Sequence, residues 1–165
     1  MKSSTRMGLV AAVVLQLFVL TGMVVKAALP LWTGTEIRVK TVPVDPRSMF
    51  RGNYARLNYA FSTLPEGALG NAELRADEVV YVRLQPGEDG LYEYAGASLI
   101  QPYDGVFLRG RMSGSFMPNQ VDFGIDAFFA PKEKALQLEK DLRDGGVAVL
   151  MVTSDGSVTL KDVVE

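Results

Sequence analysis

"TEIRVKTVPV", residues 35–44, decides how this chain is read. Ile37, Val39 and Thr41 alternate with the charged Glu36, Arg38 and Lys40. A period of two puts one set on each face of an extended strand, one toward a core and one toward water. The residues just before it have the opposite character. "MGLVAAVVLQLFVLTGMVV", residues 7–25, holds 19 residues and no charge. As a helix it would span roughly 28 Å, close to the hydrocarbon thickness of a bilayer. The chain therefore divides into an apolar helix and a β-rich body.

Lys2 and Arg6 precede the apolar run and only Lys26 follows it closely. The positive-inside rule then predicts a single-pass anchor in the cell membrane, N-terminus cytoplasmic and body extracytoplasmic, in the periplasm or outside the cell. The expected organisation is a cytoplasmic tip and anchor over 1–27, a linker over 28–34 and an exported domain over 35–165. A cleaved signal peptide is the rival, with Val25-Lys26-Ala27 before a cut at Ala28. Its apolar run, however, exceeds the usual core of ~7–15 residues. A buried core helix is the third reading. Trp32 suits a membrane interface and a protein core equally well.

Downstream, "YARLNYAFS" (54–62) sets Leu57, Tyr59 and Phe61 on one face and Arg56 and Asn58 on the other. "EVVYVRL" (78–84), "LYEYAGASLI" (91–100), "GVFLRGRM" (105–112), "QVDFGID" (120–126) and "SVTLKDVV" (157–164) read as further strands. "VAVLMV" (147–152) is a continuous apolar run suited to a strand buried on both faces. "PEG", "QPGEDG", "QPYDG" and "SDG" supply turn chemistry between them. One amphipathic helix is expected over 131–146, opened by Pro131 and closed by Gly145 or Gly146. A short second helix is expected in 67–75. The predicted fold is mostly β: a compact β-rich domain with one packed α-helix, preceded by one transmembrane helix.

Composition narrows the chemistry. The chain has 165 residues, 48% hydrophobic and 22% charged, the balance of a folded protein. It has no cysteine and no histidine. Disulfides, thiolate sites and His-based triads cannot be built from it, and a zinc, copper or haem site would lack its usual ligands. No cofactor and no metal is expected. Beyond residue 27 there are 14 cations against 19 anions, a net −5, which speaks against nucleic acid as a partner.

"PVDPRSMFRGNYARLNYAF" (43–61) resembles the signature of the GDYXXLXY family of bacterial membrane-anchored proteins. The pattern is met by Gly52, Tyr54, Leu57 and Tyr59, with Asn53 where the family has aspartate. Asp45-Pro46-Arg47 and Arg51 match its lead-in. "LRGRM" (108–112) and "VDFGIDAFFAPKEKALQLE" (121–139) are similar to later blocks of the family. The resemblance implies an anchored exported protein and no particular reaction. Asn53 offers no carboxylate at that position and keeps a turn role.

The candidate site is the motif itself: Asp45, Arg47, Arg51, Gly52, Asn53, Tyr54, Arg56, Leu57 and Tyr59. Arg47, Arg51 and Arg56 with Tyr54 offer cation forks and an aromatic edge to an anionic ligand or a partner. The competing account needs no ligand. Asp45-Pro46 and Gly52-Asn53 make turns, the arginines brace the loop, and Tyr59 packs inward with its hydroxyl bonded.

Two enzymatic arrangements are conceivable. Ser48 could act with a lysine base, drawn from Lys40, Lys132, Lys134, Lys140 or Lys161. Asp122 and Asp126 could act as paired carboxylates or hold calcium, or simply lie on a solvated strand face. Tyr81, Tyr92, Tyr94, Tyr103, Phe107, Phe116, Phe128 and Phe129 could line a carbohydrate or lipid groove, or form core. Arg109 and Arg111 make a weak patch for anionic headgroups. The leading expectation is a non-enzymatic domain that contacts the inner or cytoplasmic membrane and binds or supports another membrane or envelope protein. The alternative is an exported hydrolase using carboxylates.

Overall fold

The computed structural model describes residues 3–42, 54–70, 75–113, 119–129 and 145–164. It opens with helix α1, Ser3–Thr33, whose segment Met7–Thr33 is long and apolar enough to cross a membrane. The helix does not stop where a linker was expected. It continues through residues 28–33 and past Pro30, which stands three residues before its last residue, Thr33. Proline removes one donor and crowds the preceding turn, but it does not forbid a last turn whose hydrogen bonds can come from neighbouring groups. Here the Thr33 hydroxyl donates to the Leu29 carbonyl at 2.9 Å and the Gly34 amide donates to the Pro30 carbonyl at 3.0 Å.

A single residue separates α1 from strand β1, Thr35–Val42. That residue must be glycine for space. A Cβ on Gly34 would stand 2.6 Å from the Pro30 carbonyl oxygen and 3.2 Å from the Val152 amide nitrogen. Helix and sheet are thus joined without slack.

The body contains two four-stranded antiparallel sheets. In the first the order is β10–β9–β1–β3, with β3 at Asn58–Tyr59, β9 at Val147–Val152 and β10 at Val158–Val164. In the second it is β5–β4–β6–β7, with β4 at Val79–Pro86, β5 at Tyr92–Ser98, β6 at Val106–Met112 and β7 at Val121–Asp122. A short ribbon pairs β2, Tyr54–Arg56, with β8, Ala127–Phe129.

The expected alternation in β1 holds: Ile37, Val39 and Thr41 are buried and the charged residues between them are exposed. Strand β9 is buried along Ala148–Val152, on both faces, as its unbroken apolar run requires. Ile37, Val39, Ala148 and Leu150 of the first sheet share one core with Val80, Val82, Leu108 and Met112 of the second. Removing one such side chain from water contributes on the order of 1.5–3 kcal/mol, so these facing rows hold the layers together.

Three expectations change. The 54–62 segment breaks after two short strands into a 3-10 turn at Ala60–Ser62, although Leu57, Tyr59 and Phe61 are all buried as predicted. Residues 120–126 form strand only at Val121–Asp122, because Gly124 takes a positive φ of 71° and turns the chain. Trp32 is not a core residue: it is 72% exposed beside the helix end. The predicted helix at 131–146 lies outside the described residues up to 144. Of 67–75, the residues 67–70 form turns and 71–74 lie outside the described set.

Candidate functional site

The motif strand and the 119–129 segment are fastened along their length. The Leu57 amide donates to the Asp126 carbonyl at 2.8 Å, and the Tyr59 hydroxyl donates to the Ile125 carbonyl at 2.9 Å. Tyr54, Ala55 and Arg56 pair with Phe129, Phe128 and Ala127. Farther on, the Leu64 amide donates to the Asn119 carbonyl at 2.8 Å. On its other side β3 pairs with β1, Thr41 opposite Tyr59. The motif thus bridges the first sheet and the segment that leads into β7 and β8.

Leu57 and Tyr59 serve this joint with their side chains. Both are buried, and the Tyr59 ring stacks on Phe61 at 5.1 Å, which meets Phe123 edge-on at 5.6 Å. Burial, with the nearby Asp126 charge, pushes the Tyr59 hydroxyl well above the usual tyrosine range, so it stays a proton donor. Asp45, Arg47, Ser48, Arg51, Gly52 and Asn53 lie outside the described residues, and Tyr54 and Arg56 are placed by their backbone in β2.

A cavity of about 170 Å³ opens beside the joint, lined by Asn58, Tyr59, Ser113, Asp122 and Asp126 among others. The structure therefore brings Leu57 and Tyr59 of the motif and both suspected carboxylates to one place. The Asp122 carboxylate accepts the Gly124 amide at 2.8 Å and so stabilises the turn that follows it. The volume is below the roughly 300–1,000 Å³ of usual small-molecule sites. Among the described residues, Asp122 serves a turn, and Leu57 and Tyr59 serve a packed joint. Of the suspected base lysines, Lys161 is engaged, its ammonium 2.7 Å from Glu36, and that contact holds the Glu36 carboxyl below the usual carboxylate range.

The neighbouring groove, about 480 Å³, is lined by Asp77, Arg109, Arg111, Asp122 and Ser157 among others. Arg109 and Arg111 share the outer face of β6, and Arg111 donates to the Asp77 carbonyl at 2.9 Å. Elsewhere the aromatics divide. Phe107 is buried, against Tyr81 at 5.9 Å, and Tyr92 and Tyr94 pack on the core edge. Tyr103 is fully exposed, with Ile100 75% exposed nearby.

Two features escaped the sequence reading. Gln16 stands at the centre of the uncharged run 7–25, all of which is exposed on α1. The exposed apolar cluster at 99–103 straddled the end of an expected strand, 91–100, and the turn after it; the strand in fact stops at Ser98. A polar residue at the midpoint of an apolar span was the available signal for the first. The second had none, since exposure at a crossover depends on where the sheet runs.

A β-rich body joined rigidly to an apolar helix of membrane-spanning length defines a class of anchored or signal-led domain. Within it the chain belongs to the GDYXXLXY family, whose model, described as GDYXXLXY protein, matches residues 16–163. Comparisons with curated proteins and with solved structures return no match.

Proposed function

We propose that this chain is a single-pass, membrane-anchored extracytoplasmic domain that binds another membrane protein, helix to helix, through α1. The observation that carries the reading is Gln16. Its amide sits exposed at the middle of an uncharged run that lipid would surround. Hydrocarbon cannot satisfy an amide, and side chains of this kind hydrogen-bond across helix interfaces in membranes. A partner helix with its own polar group answers that need. Lys2 and Arg6 before the run support a cytoplasmic N-terminus.

The test has two arms. A periplasm-dependent enzyme fused after Glu165 is active in cells if the body is exported; activity of a cytoplasm-dependent reporter instead overturns the topology. A photo-crosslinker at Leu20, on the Gln16 face, captures a membrane protein in intact cells, and one at Phe18, on the opposite face, does not. Gln16→Leu abolishes the Leu20 product. Equal labelling from both faces, or labelling indifferent to Gln16→Leu, refutes helix pairing through this amide.

A further inference from the structure

The second sheet contains an unusual connection. β5 and β6 both run antiparallel to β4, which lies between them, so they run the same way and the chain must return along β4 to join them. β5 ends at Ser98, opposite Tyr81, and β6 begins at Val106, opposite Leu84. Residues 99–105, "LIQPYDG", make that return. They cross on the outer face of β4, where Arg83 points: the Arg83 guanidinium pairs with Asp104 at 3.4 Å and lies 3.6 Å from a Cβ built on Gly105.

The crossover carries its apolar side chains outward. Leu99, Ile100 and Tyr103 are 37%, 75% and 103% exposed. It is held at both ends, by the Ile100 amide on the Ser98 hydroxyl at 3.0 Å and by the Arg83–Asp104 pair. Its only charged residue is Asp104, which that pair neutralises. A fixed, electrically neutral, apolar ridge is what an interfacial lipid layer accepts and what free water does not favour.

Its position relative to α1 points to the occupant. Gly105 and Val106 line one cavity of about 360 Å³ with Thr33 and Thr35, the end of the helix and the start of β1. Tyr103 is two residues from Gly105, at most about 7 Å of chain. Apolar exposure on α1 continues through Leu29, Leu31 and Trp32, one turn from that cavity. Gly34 leaves no slack in between. The body is therefore held where its helix leaves the bilayer, with the Gly105 end of the crossover beside the exit point.

We propose that the β5–β6 crossover is a second membrane contact, in which Ile100 and Tyr103, flanked by Leu99, enter the interfacial layer of the membrane that α1 spans. It rests on the anchor reading above. Together with Trp32, it makes two separated points of attachment, which fix the tilt of the body over the membrane. The contact requires no particular headgroup, because the ridge carries no net charge.

The absence of native cysteine makes the test direct. Ile100→Cys and Tyr103→Cys are made in the full chain, spin-labelled and reconstituted in phosphatidylethanolamine–phosphatidylglycerol vesicles and, separately, in phosphatidylcholine vesicles. Phe18→Cys provides the lipid reference and Glu88→Cys, in the exposed β4–β5 turn, the water reference. Collisions with oxygen are expected to exceed those with a water-soluble nickel chelate at 100 and 103 several-fold relative to 88, in both lipids. Unchanged thermal unfolding confirms that these exposed substitutions leave the fold intact. If 100 and 103 match 88 while 18 reads lipid, the anchor stands and the second contact fails. If both are shielded from oxygen and nickel alike, the ridge is a protein interface and the proposal is wrong. If 18 itself reads water, the anchor fails, and this contact with it.

Discussion

The Tyr59 hydroxyl donates to the Ile125 carbonyl at 2.9 Å, tying together two buried residues 66 positions apart. The motif's last tyrosine is thereby a structural tether. Its neighbours repeat the theme, since the Leu57 amide is bonded to the adjacent Asp126 carbonyl. The short, interrupted strands of this region are held by their cross-connections more than by ladder length.

Tyr59→Phe removes only the oxygen and leaves the Ile125 carbonyl short of a donor. A loss of about 1–2 kcal/mol is expected in urea unfolding of the detergent-solubilised chain. Leu57→Ala, which opens a cavity in the same joint, should cost ~2–5 kcal/mol. A Tyr59→Phe protein as stable as the parent would show that the tether contributes nothing.

Gly110 sits on the core face of β6 with no room to spare. A Cβ there would collide with Val121 Cγ1 and approach the Phe123 ring to 2.8 Å. Gly110→Ala should destabilise by about 1–3 kcal/mol through overpacking. Adding Val121→Ala should return part of the loss, a coupling that a double-mutant cycle measures directly.

Gly34 predicts a different kind of damage. Alanine there meets the Pro30 carbonyl oxygen, a backbone atom that cannot swing aside. The last turn of α1 must then unwind. Gly34→Ala should lower the melting temperature and loosen the helix relative to the sheet, read as greater mobility of a label at Trp32→Cys. A variant with unchanged Tm and unchanged label mobility would count against a rigid junction.

The β9–β10 hairpin carries a pH dependence. The Thr153 and Ser157 hydroxyls donate to the Asp155 carboxylate, and these hydrogen bonds hold it below the usual carboxylate range. A depressed folded-state value means the stabilisation is complete above the unfolded value of about 4 and is lost as pH falls through the lower folded one. Acid unfolding of Asp155→Asn should therefore show a shallower slope below about pH 4. The Glu36–Lys161 contact acts with the same sign, so some slope should survive. An unchanged slope would remove Asp155 from the account.

Much of this was written in local sequence. The run 7–25 specifies a helix by length and lack of charge, and alternation specifies β1, with Ile37, Val39 and Thr41 buried. The inward Leu57 and Tyr59, and even the bonded hydroxyl, follow from period two and the cost of burying an unpaired polar group. The family was legible too, because its motif sits in a contiguous stretch. These properties depend on neighbours within a few residues.

Tertiary structure alone decided the rest. That Tyr59 reaches Ile125, that Asp122 and Asp126 border the motif's cavity, and that Thr41 exchanges hydrogen bonds with Gly146 are long-range facts that no local periodicity encodes. The fate of "LIQPYDG" shows the reason most clearly. Leu99 and Ile100 read as the end of a strand and "QPYDG" as a turn, but strand order makes all seven residues a crossover, because β4 had to be inserted between two strands that run the same way. Side-chain alternation tells a strand which face is inward. Only the order in which strands pair tells the chain between them where it must pass, and so which of its side chains are left outside.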